Sequence, residues 1–197
     1  FWLDEVQTNL PAGVHPLSAA GSIDKVLPWL KRLAEAEMHQ VFDTPDALLA
    51  VLGATPAALD TFRIGLDPSR LDHCPQPDGW NFGEILCHLR DVETEINWLR
   101  VQTVLNQNNP ILQGVDTESW AQERKYYLQD GSVALKEFTR ARTSLLQALH
   151  SIPQAAWVQP AIHPVLGPTN LKGVVCRIAA HDRAHIQQAL AALPHVR

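Results

Sequence analysis

Residues 169–193 read TNLKGVVCRIAAHDRAHIQQALAAL and stop before Pro194. Apolar side chains recur there at steps of three and four, which predicts an amphipathic helix that begins at Thr169-Asn170 and buries one face. His181 and His185 are four residues apart, so they project from the same side of this helix, one turn above the other. They also continue its apolar stripe, which consists of Val174, Ile178, His181, His185, Gln188 and Ala192.

A second long helix, over residues 82–107, is predicted to bring a third histidine to the core. Asn81 followed by Glu84 has the spacing of a capping box at the start of a helix. The apolar stripe of this helix consists of Ile85, His88, Val92, Ile96 and Leu99. Three histidines on two neighbouring helices can hold a metal ion and leave a fourth position open, as catalytic metal sites do.

The same three histidines also have a purely structural interpretation. A pair of histidines four residues apart is common, and a histidine in a protein core, such as His88, is more often hydrogen-bonded than bound to a metal. Burying unpaired imidazoles costs free energy, however, whereas coordination to a cation uses their lone pairs. The periodicity of the sequence does not decide between a metal site and hydrogen-bonded core histidines.

Other polar residues near these histidines are candidates for supporting roles. Glu95 lies seven residues beyond His88 and could act as a general base or support a ligand, although a solvated role is simpler. Asp182 projects about 100° away from His181, so we expect it to pair with Arg183, Arg177 or a neighbouring helix. The remaining histidines lie in loops or at helix ends and should face solvent, although the loop of His163 could fold over the site; they are His15, His39, His73, His150, His163 and His195.

The rest of the chain also shows helical signals. Thr44-Pro45-Asp46 and Thr55-Pro56-Ala57 each place a capping hydroxyl before a proline, which predicts two short helices separated at Gly53. Aspartate caps predict a short helix over 116–127 and a long one over 130–150. No strand-like alternation is convincing in the proline-rich stretch that follows, although Trp157-Val158 and Ile162 leave room for a short extended piece. The whole indicates an all-α bundle of four principal helices.

The chain divides into two parts in this interpretation. Residues 1–37 form an N-terminal extension of unknown role, because the first and only methionine is Met38 and loop-like segments precede it. Residues 38–197 form the helical bundle domain.

Composition narrows the classes of function. The chain has 197 residues, a net charge of -5 and a pI near 6.0, without a block of Lys and Arg, so we expect no nucleic-acid partner. No apolar run reaches the roughly 18 residues of a transmembrane helix, and Phe1-Trp2-Leu3-Asp4-Glu5 lacks the pattern of a signal peptide. The three cysteines are widely spaced without a Cys-x-x-Cys pair, which favours a reducing cytoplasm.

The chain resembles the DinB/YfiT-like superfamily. The resemblance rests on Gly79-Trp80-Asn81-x-x-Glu84-x-x-x-His88-Leu89, on Arg100, and on His181-Asp182-x-x-His185-x-x-Gln188, and it covers about residues 44–192. The superfamily usually has Ser or Thr where Asn81 stands, which is a conservative change for a helix cap. The resemblance implies an up-down-down-up four-helix bundle, often dimeric, in which three histidines hold a divalent metal; here these are His88, His181 and His185.

The resemblance also implies a class of activity. Members with an assigned activity include transferases and isomerases that use a low-molecular-weight thiol, namely bacillithiol, mycothiol or glutathione. We therefore expect a cytoplasmic, homodimeric enzyme that acts on a small molecule and binds zinc or nickel, with iron or manganese as alternatives. The metal would activate a bound water or thiol, for hydrolysis or for transfer of the thiol to an electrophile.

Two other functions stay open. A non-catalytic, stress-associated bundle would bind metal and act through dimerisation or a partner, and this function predicts no pocket beside the histidines. In the third alternative the histidines are hydrogen-bonded core residues, and the purified protein holds no stoichiometric metal.

Overall fold

The computed structural model describes residues 44–64 and 79–193 of the chain. The described residues all belong to one unit of the chain, Phe42–Arg197. The predicted N-terminal extension, residues 1–37, lies outside the described residues.

The described residues form a four-helix bundle, which confirms the predicted fold class. Helix α5 packs against α1 and α2, while α6 packs against α1, α2 and α3. None of the described helices is both long enough and apolar enough to cross a membrane. In chain order the elements are α1 (Pro45–Arg63), α2 (Phe82–Val92), a π-helical turn (Glu93–Asn97), α3 (Trp98–Asn106), α4 (Trp120–Glu123), a 3-10 turn (Tyr126–Leu128), α5 (Gly131–Ser151), a second 3-10 turn (Gln154–Val158), β1 (Pro160–His163), β2 (Gly167–Asn170) and α6 (Leu171–Ala192).

The helix starts follow the capping residues of the sequence. Asn81 Oδ1 accepts a hydrogen bond from Glu84 N at 2.8 Å, and Asn81 N donates to Glu84 Oε2 at 2.9 Å. The predicted capping box is therefore present, with Asn in place of Ser or Thr. Asp130 and Asn170 cap α5 and α6 through their side-chain oxygens, as predicted.

Helix α1 corrects the prediction of two short helices. It runs unbroken for 19 residues, with Pro56 inside it. Proline has no N–H, so the carbonyl four residues earlier, on Leu52, loses its helical partner. Arg142 Nη1 donates to Leu52 O at 3.0 Å instead. This contact from another helix satisfies the free carbonyl, and it cannot be read from the local sequence.

Thr55 consequently has a different role from the predicted helix cap. It is buried inside α1, and its hydroxyl lies 2.8 Å from Asp182 Oδ2 and 3.2 Å from Val51 O. The hydroxyl thus joins α1 to α6 rather than beginning a helix.

A π-helical turn interrupts the predicted helix over 82–107. The turn contains one more residue than an α-helical turn, so it rotates the following residues relative to the preceding ones. As a result Leu99, which was predicted to continue the buried stripe, is 53% exposed. Val101 and Val104 are buried in its place. The stripe prediction was correct up to Ile96 and wrong beyond it.

A β-hairpin lies in the proline-rich stretch where no convincing strand was predicted. β1 and β2 pair antiparallel, from Pro160 opposite Asn170 to His163 opposite Gly167. Ile162 also hydrogen-bonds to the crossover segment, the connection over residues 107–119 between α3 and α4: it donates to Pro110 O and accepts from Leu112 N, both at 2.8 Å. The strands are four residues long and contain two prolines, so the usual alternation of a strand is missing from the sequence.

Gly131 and Gly83 mark a close approach of α5 and α2. A Cβ at Gly131 would lie 2.8 Å from Gly83 Cα, which backbone packing does not allow. We expect Gly131→Ala to lower the free energy of unfolding by about 1–3 kcal/mol, because the helices must separate.

Gly53 provides the matched control for this prediction. A Cβ there meets Leu146 Cδ1 at an ordinary 3.7 Å. Gly53→Ala should therefore raise the free energy of unfolding by about 0.4–1 kcal/mol, since alanine restricts the unfolded chain. Urea denaturation measures both variants, and equal changes of the same sign would contradict the assigned helix contact.

Candidate metal centre

The structure brings the three predicted histidines together. His88 projects from α2, and His181 and His185 project from successive turns of α6. His181 Nε2 lies 3.2 Å from His88 Nε2 and 3.1 Å from His185 Nε2. Two nitrogen ligands of a tetrahedral zinc ion, each about 2.0–2.1 Å from the metal, would lie about 3.3 Å apart. These two separations fit a shared cation, and the candidate ligand atoms of all three histidines lie within 4.8 Å of one another.

Hydrogen bonding fixes the proton on one of the three rings. His185 Nδ1 lies 2.7 Å from Gln188 Oε1, and because the amide oxygen only accepts, Nδ1 is the donor. The lone pair of His185 Nε2 is then free to coordinate, which is the usual arrangement around histidine ligands. Nδ1 of His88 and of His181 is buried without a hydrogen-bond partner in the described part of the chain, so no such contact fixes their tautomers.

Burial keeps the three imidazoles in their neutral form. Burial and, secondarily, the charge of His185 lower the pKa of His88 to about 3. The pKa of His181 lies well below its ordinary value, first through burial and then through repulsion by His185 and His88. Burial also lowers the pKa of His185, although Gln188 and Asp182 act in the opposite direction. Neutral imidazole is the form that binds metals, so the donor set fits a divalent cation at neutral pH.

Trp80 packs over the histidine cluster. The centroid of its ring system lies 4.9 Å from that of His88 and 6.2 Å from that of His185, and the second pair is parallel within 3°. Trp80 directly precedes Asn81, the residue that caps the start of α2. The indole covers the cluster with apolar surface.

A cavity of about 230 Å³ borders the cluster at His181. Apolar side chains of the bundle and of the crossover form much of its wall. Its polar lining comes from Asn97, Arg100, Thr117, His163, Arg177 and His181. A cavity with an apolar wall and a few convergent polar groups is the usual form of a small-molecule site.

His163 does not face solvent; its loop folds over the site, which is the alternative that the sequence left open for it. The hairpin places it, half-buried, in the wall of the cavity. Its Nδ1 accepts from the backbone N–H groups of Val165 and Leu166, both at 3.2 Å, which leaves the proton on Nε2. Burial, followed by the charges of Arg177 and Arg100, lowers the pKa of His163 to about 4.

A buried ion cluster includes Asp182, the residue after His181 on α6. Arg142 of α5 donates through Nε to Glu93 Oε1 at 2.6 Å and through Nη2 to Asp182 Oδ1 at 3.0 Å. All three side chains are 1% exposed. Burial acts to lower the pKa of Arg142, but the two carboxylates raise it above its ordinary value. The expectation that Asp182 pairs with a neighbouring helix is confirmed.

Glu95 does not join the three histidines in the structure. Its carboxylate accepts from Nη1 and Nη2 of Arg124, at 2.5 and 2.9 Å, and its side chain is 49% exposed. The π-helical turn contains Glu95, so the seven-residue spacing from His88 no longer corresponds to two α-helical turns. Among the described residues, the cluster with metal-ligand spacing consists of His88, His181 and His185.

Gln188 is expected to influence metal affinity without binding the metal. Gln188→Ala removes the acceptor that orients His185, so metal affinity should fall by about 10- to 100-fold. Gln187→Ala is the matched control, because Gln187 is adjacent and exposed. Competition with a fluorescent chelator measures both affinities. Equal affinities of the two variants would show that the hydrogen bond to His185 has no effect on the site.

Residues 20–189 match the sequence profile of the DinB superfamily. The match begins before residue 44 and so includes residues 20–37 of the predicted extension. Three solved chains match in fold. One is YfiT from Bacillus subtilis, "a probable metal-dependent hydrolase with an unusual four-helix bundle topology", with a TM-score of 0.68 and 19% identity over 76% of this chain and 86% of that chain. At this identity the likeness shows the fold alone. No curated protein matches.

Proposed function

The chain belongs to the DinB superfamily, and from this we propose that it is a metal-dependent enzyme in which His88, His181 and His185 hold a divalent cation. The observation that carries the proposal is that Nε2 of His88 and of His185 both lie close to Nε2 of His181, which lines a cavity. Zinc and nickel are the metals we propose first, because imidazole ligands suit both.

When bound, such a cation acts as a Lewis acid and lowers the pKa of a coordinated water or thiol towards neutrality. The chain contributes the orientation of the three rings. Gln188 holds His185 through Nδ1, and Trp80 covers the rings on one side. Three protein ligands leave a coordination position for a reactant, which separates catalytic from structural sites.

Hydrolysis is the reaction that we propose first. It requires room for one organic substrate and water, and a cavity of about 230 Å³ is smaller than the roughly 300–1,000 Å³ of drug-sized ligand sites. Transfer of a low-molecular-weight thiol to an electrophile is the second candidate, and it requires two organic molecules to share the same space. The description of YfiT as a probable metal-dependent hydrolase also supports hydrolysis here.

A non-catalytic metal-binding bundle receives less support from the same geometry. That function predicts a site without an adjoining pocket, whereas His181 lines a cavity. The structural alternative, in which the histidines only stabilise the core, predicts a protein without stoichiometric metal.

Elemental analysis of freshly purified protein tests the proposed function. We expect one zinc or nickel ion per chain, and hydrolysis of ester or amide substrates that stops when a chelator removes the metal. A protein that purifies without metal and binds none on addition would exclude the proposal. Stoichiometric metal with thiol transfer alone would establish the second candidate reaction instead.

A further inference from the structure

Arg100 of α3 carries a charge that the described residues do not neutralise. Of its N–H groups, Nη2 donates to the backbone carbonyl of Gln113 at 3.1 Å, and Nε is buried without a partner in the described part of the chain. Burial lowers the pKa of Arg100. A guanidinium stays charged in proteins and has five donors, so this side chain is poorly satisfied.

Arg90, Arg124 and Arg142, by contrast, each have a carboxylate partner. The shortest N–O distances in their ion pairs are 2.6 Å for Arg90, 2.5 Å for Arg124 and 2.5 Å for Arg142. Withdrawing a charge from water costs free energy unless the charge is paired. Arg100 differs from these three because it lines the cavity, where a ligand can supply the missing negative charge.

The charged side chains that line the cavity, among the described residues, are arginines. Arg100 and Arg177 both line it, and the described lining residues include no carboxylate. Asn97 and Thr117 add neutral polar groups to the same lining. A small cavity of this kind concentrates anions.

We propose that the cavity binds the oxyanion group of a small-molecule substrate, a carboxylate or a phosphate, and that Arg100 is its counter-charge. Charged hydrogen bonds from guanidinium to such groups are among the strongest in proteins. The anionic end of the substrate then lies at Arg100, and the rest of the molecule extends towards His181. This inference rests on the proposed function for the statement that the end of the substrate near His181 is the one that reacts. The anion site at Arg100 does not itself require the metal.

Binding of simple anions to the full chain tests this inference. We suggest isothermal titration calorimetry with succinate, inorganic phosphate and the neutral analogue succinamide, on protein as purified and after treatment with a chelator. Chelator treatment removes direct binding of the anion to a metal. We expect succinate or phosphate to bind about 10- to 100-fold more tightly than succinamide in both preparations, and the anion that binds identifies the substrate's charged group.

Three variants assign the effect to Arg100. Arg100→Gln should weaken anion binding about 10- to 100-fold. Arg100→Lys should retain more of the anion binding because the charge remains. The metal content of both variants should equal that of the unmodified protein. Arg183→Gln is the control, since Arg183 is exposed on α6. Unchanged anion binding in Arg100→Gln, or equal binding of succinate and succinamide by the unmodified chain, would overturn the inference. Absence of metal with intact anion binding would instead refute the proposed function and leave the anion site standing.

Discussion

Replacing His185 by alanine is expected to lower the affinity for the divalent metal by more than about 100-fold, with the helical bundle intact. The expected loss exceeds the roughly 10- to 100-fold effect of residues that only orient a ligand, because a ligand itself is removed. The two remaining imidazoles, His88 and His181, cannot hold a cation as tightly. Elemental analysis after dialysis measures metal content, and circular dichroism measures helical content.

Thermal unfolding gives this prediction a second readout. A metal that binds the folded chain stabilises it, by about 2.7 kcal/mol when the free metal concentration is 100 times the dissociation constant. We therefore expect added zinc or nickel to raise the melting temperature of the unmodified protein and to have little effect on His185→Ala. His150→Ala is the matched control, because His150 is exposed on α5. Full metal retention by His185→Ala would remove His185 from the proposed ligand set.

Replacing Arg142 by methionine is expected to destabilise the fold by about 3–5 kcal/mol. The change leaves the carboxylates of Glu93 and Asp182 buried at 1% exposure without a counter-charge. It also removes the donor to Leu52 O, which Pro56 had left without a helical partner. Since a small domain is typically stable by only about 5–15 kcal/mol, this variant should be close to unfolding at physiological temperature.

Two comparisons separate the charge effect from simple loss of a side chain. Arg140→Met changes an exposed arginine on the same helix and should cost less than about 0.5 kcal/mol. Adding Glu93→Gln and Asp182→Asn to Arg142→Met removes the uncompensated charges and should recover part of the stability. Urea denaturation of the four proteins measures the differences. Similar stabilities of Arg142→Met and Arg140→Met would contradict the role assigned to the buried cluster.

Local sequence signals predicted the parts of the fold that depend on neighbours in the chain. Asn81 with Glu84, Asp130 and Asn170 begin helices where their side chains can accept from nearby backbone N–H groups. Helical periodicity, which is also a local signal, placed His88 and the two histidines of α6 on inner faces. The convergence of the three rings was then a consequence of packing two such faces together.

The prediction failed where distant residues determine the local structure. Pro56 is accommodated in α1 because Arg142, 86 positions later, reaches the Leu52 carbonyl. His163 and Arg100 reach the cavity through the hairpin and the π-helical turn, neither of which has a recognisable pattern in this sequence. Arg100 was part of the family resemblance, but only the missing counter-charge in the structure suggests what it does.

The π-helical turn over Glu93–Asn97 sets how the helix that carries Arg100 is rotated relative to the helix that carries His88. His88 precedes it and Arg100 follows it, so the extra residue sets the rotation of one relative to the other. Deleting a single residue from the turn would restore a continuous α-helix and rotate everything beyond it by about 100°. Arg100 would then leave the cavity while His88 stayed in place. A one-residue change in the length of this turn would therefore alter the anion site proposed at Arg100 without moving His88, which precedes the turn.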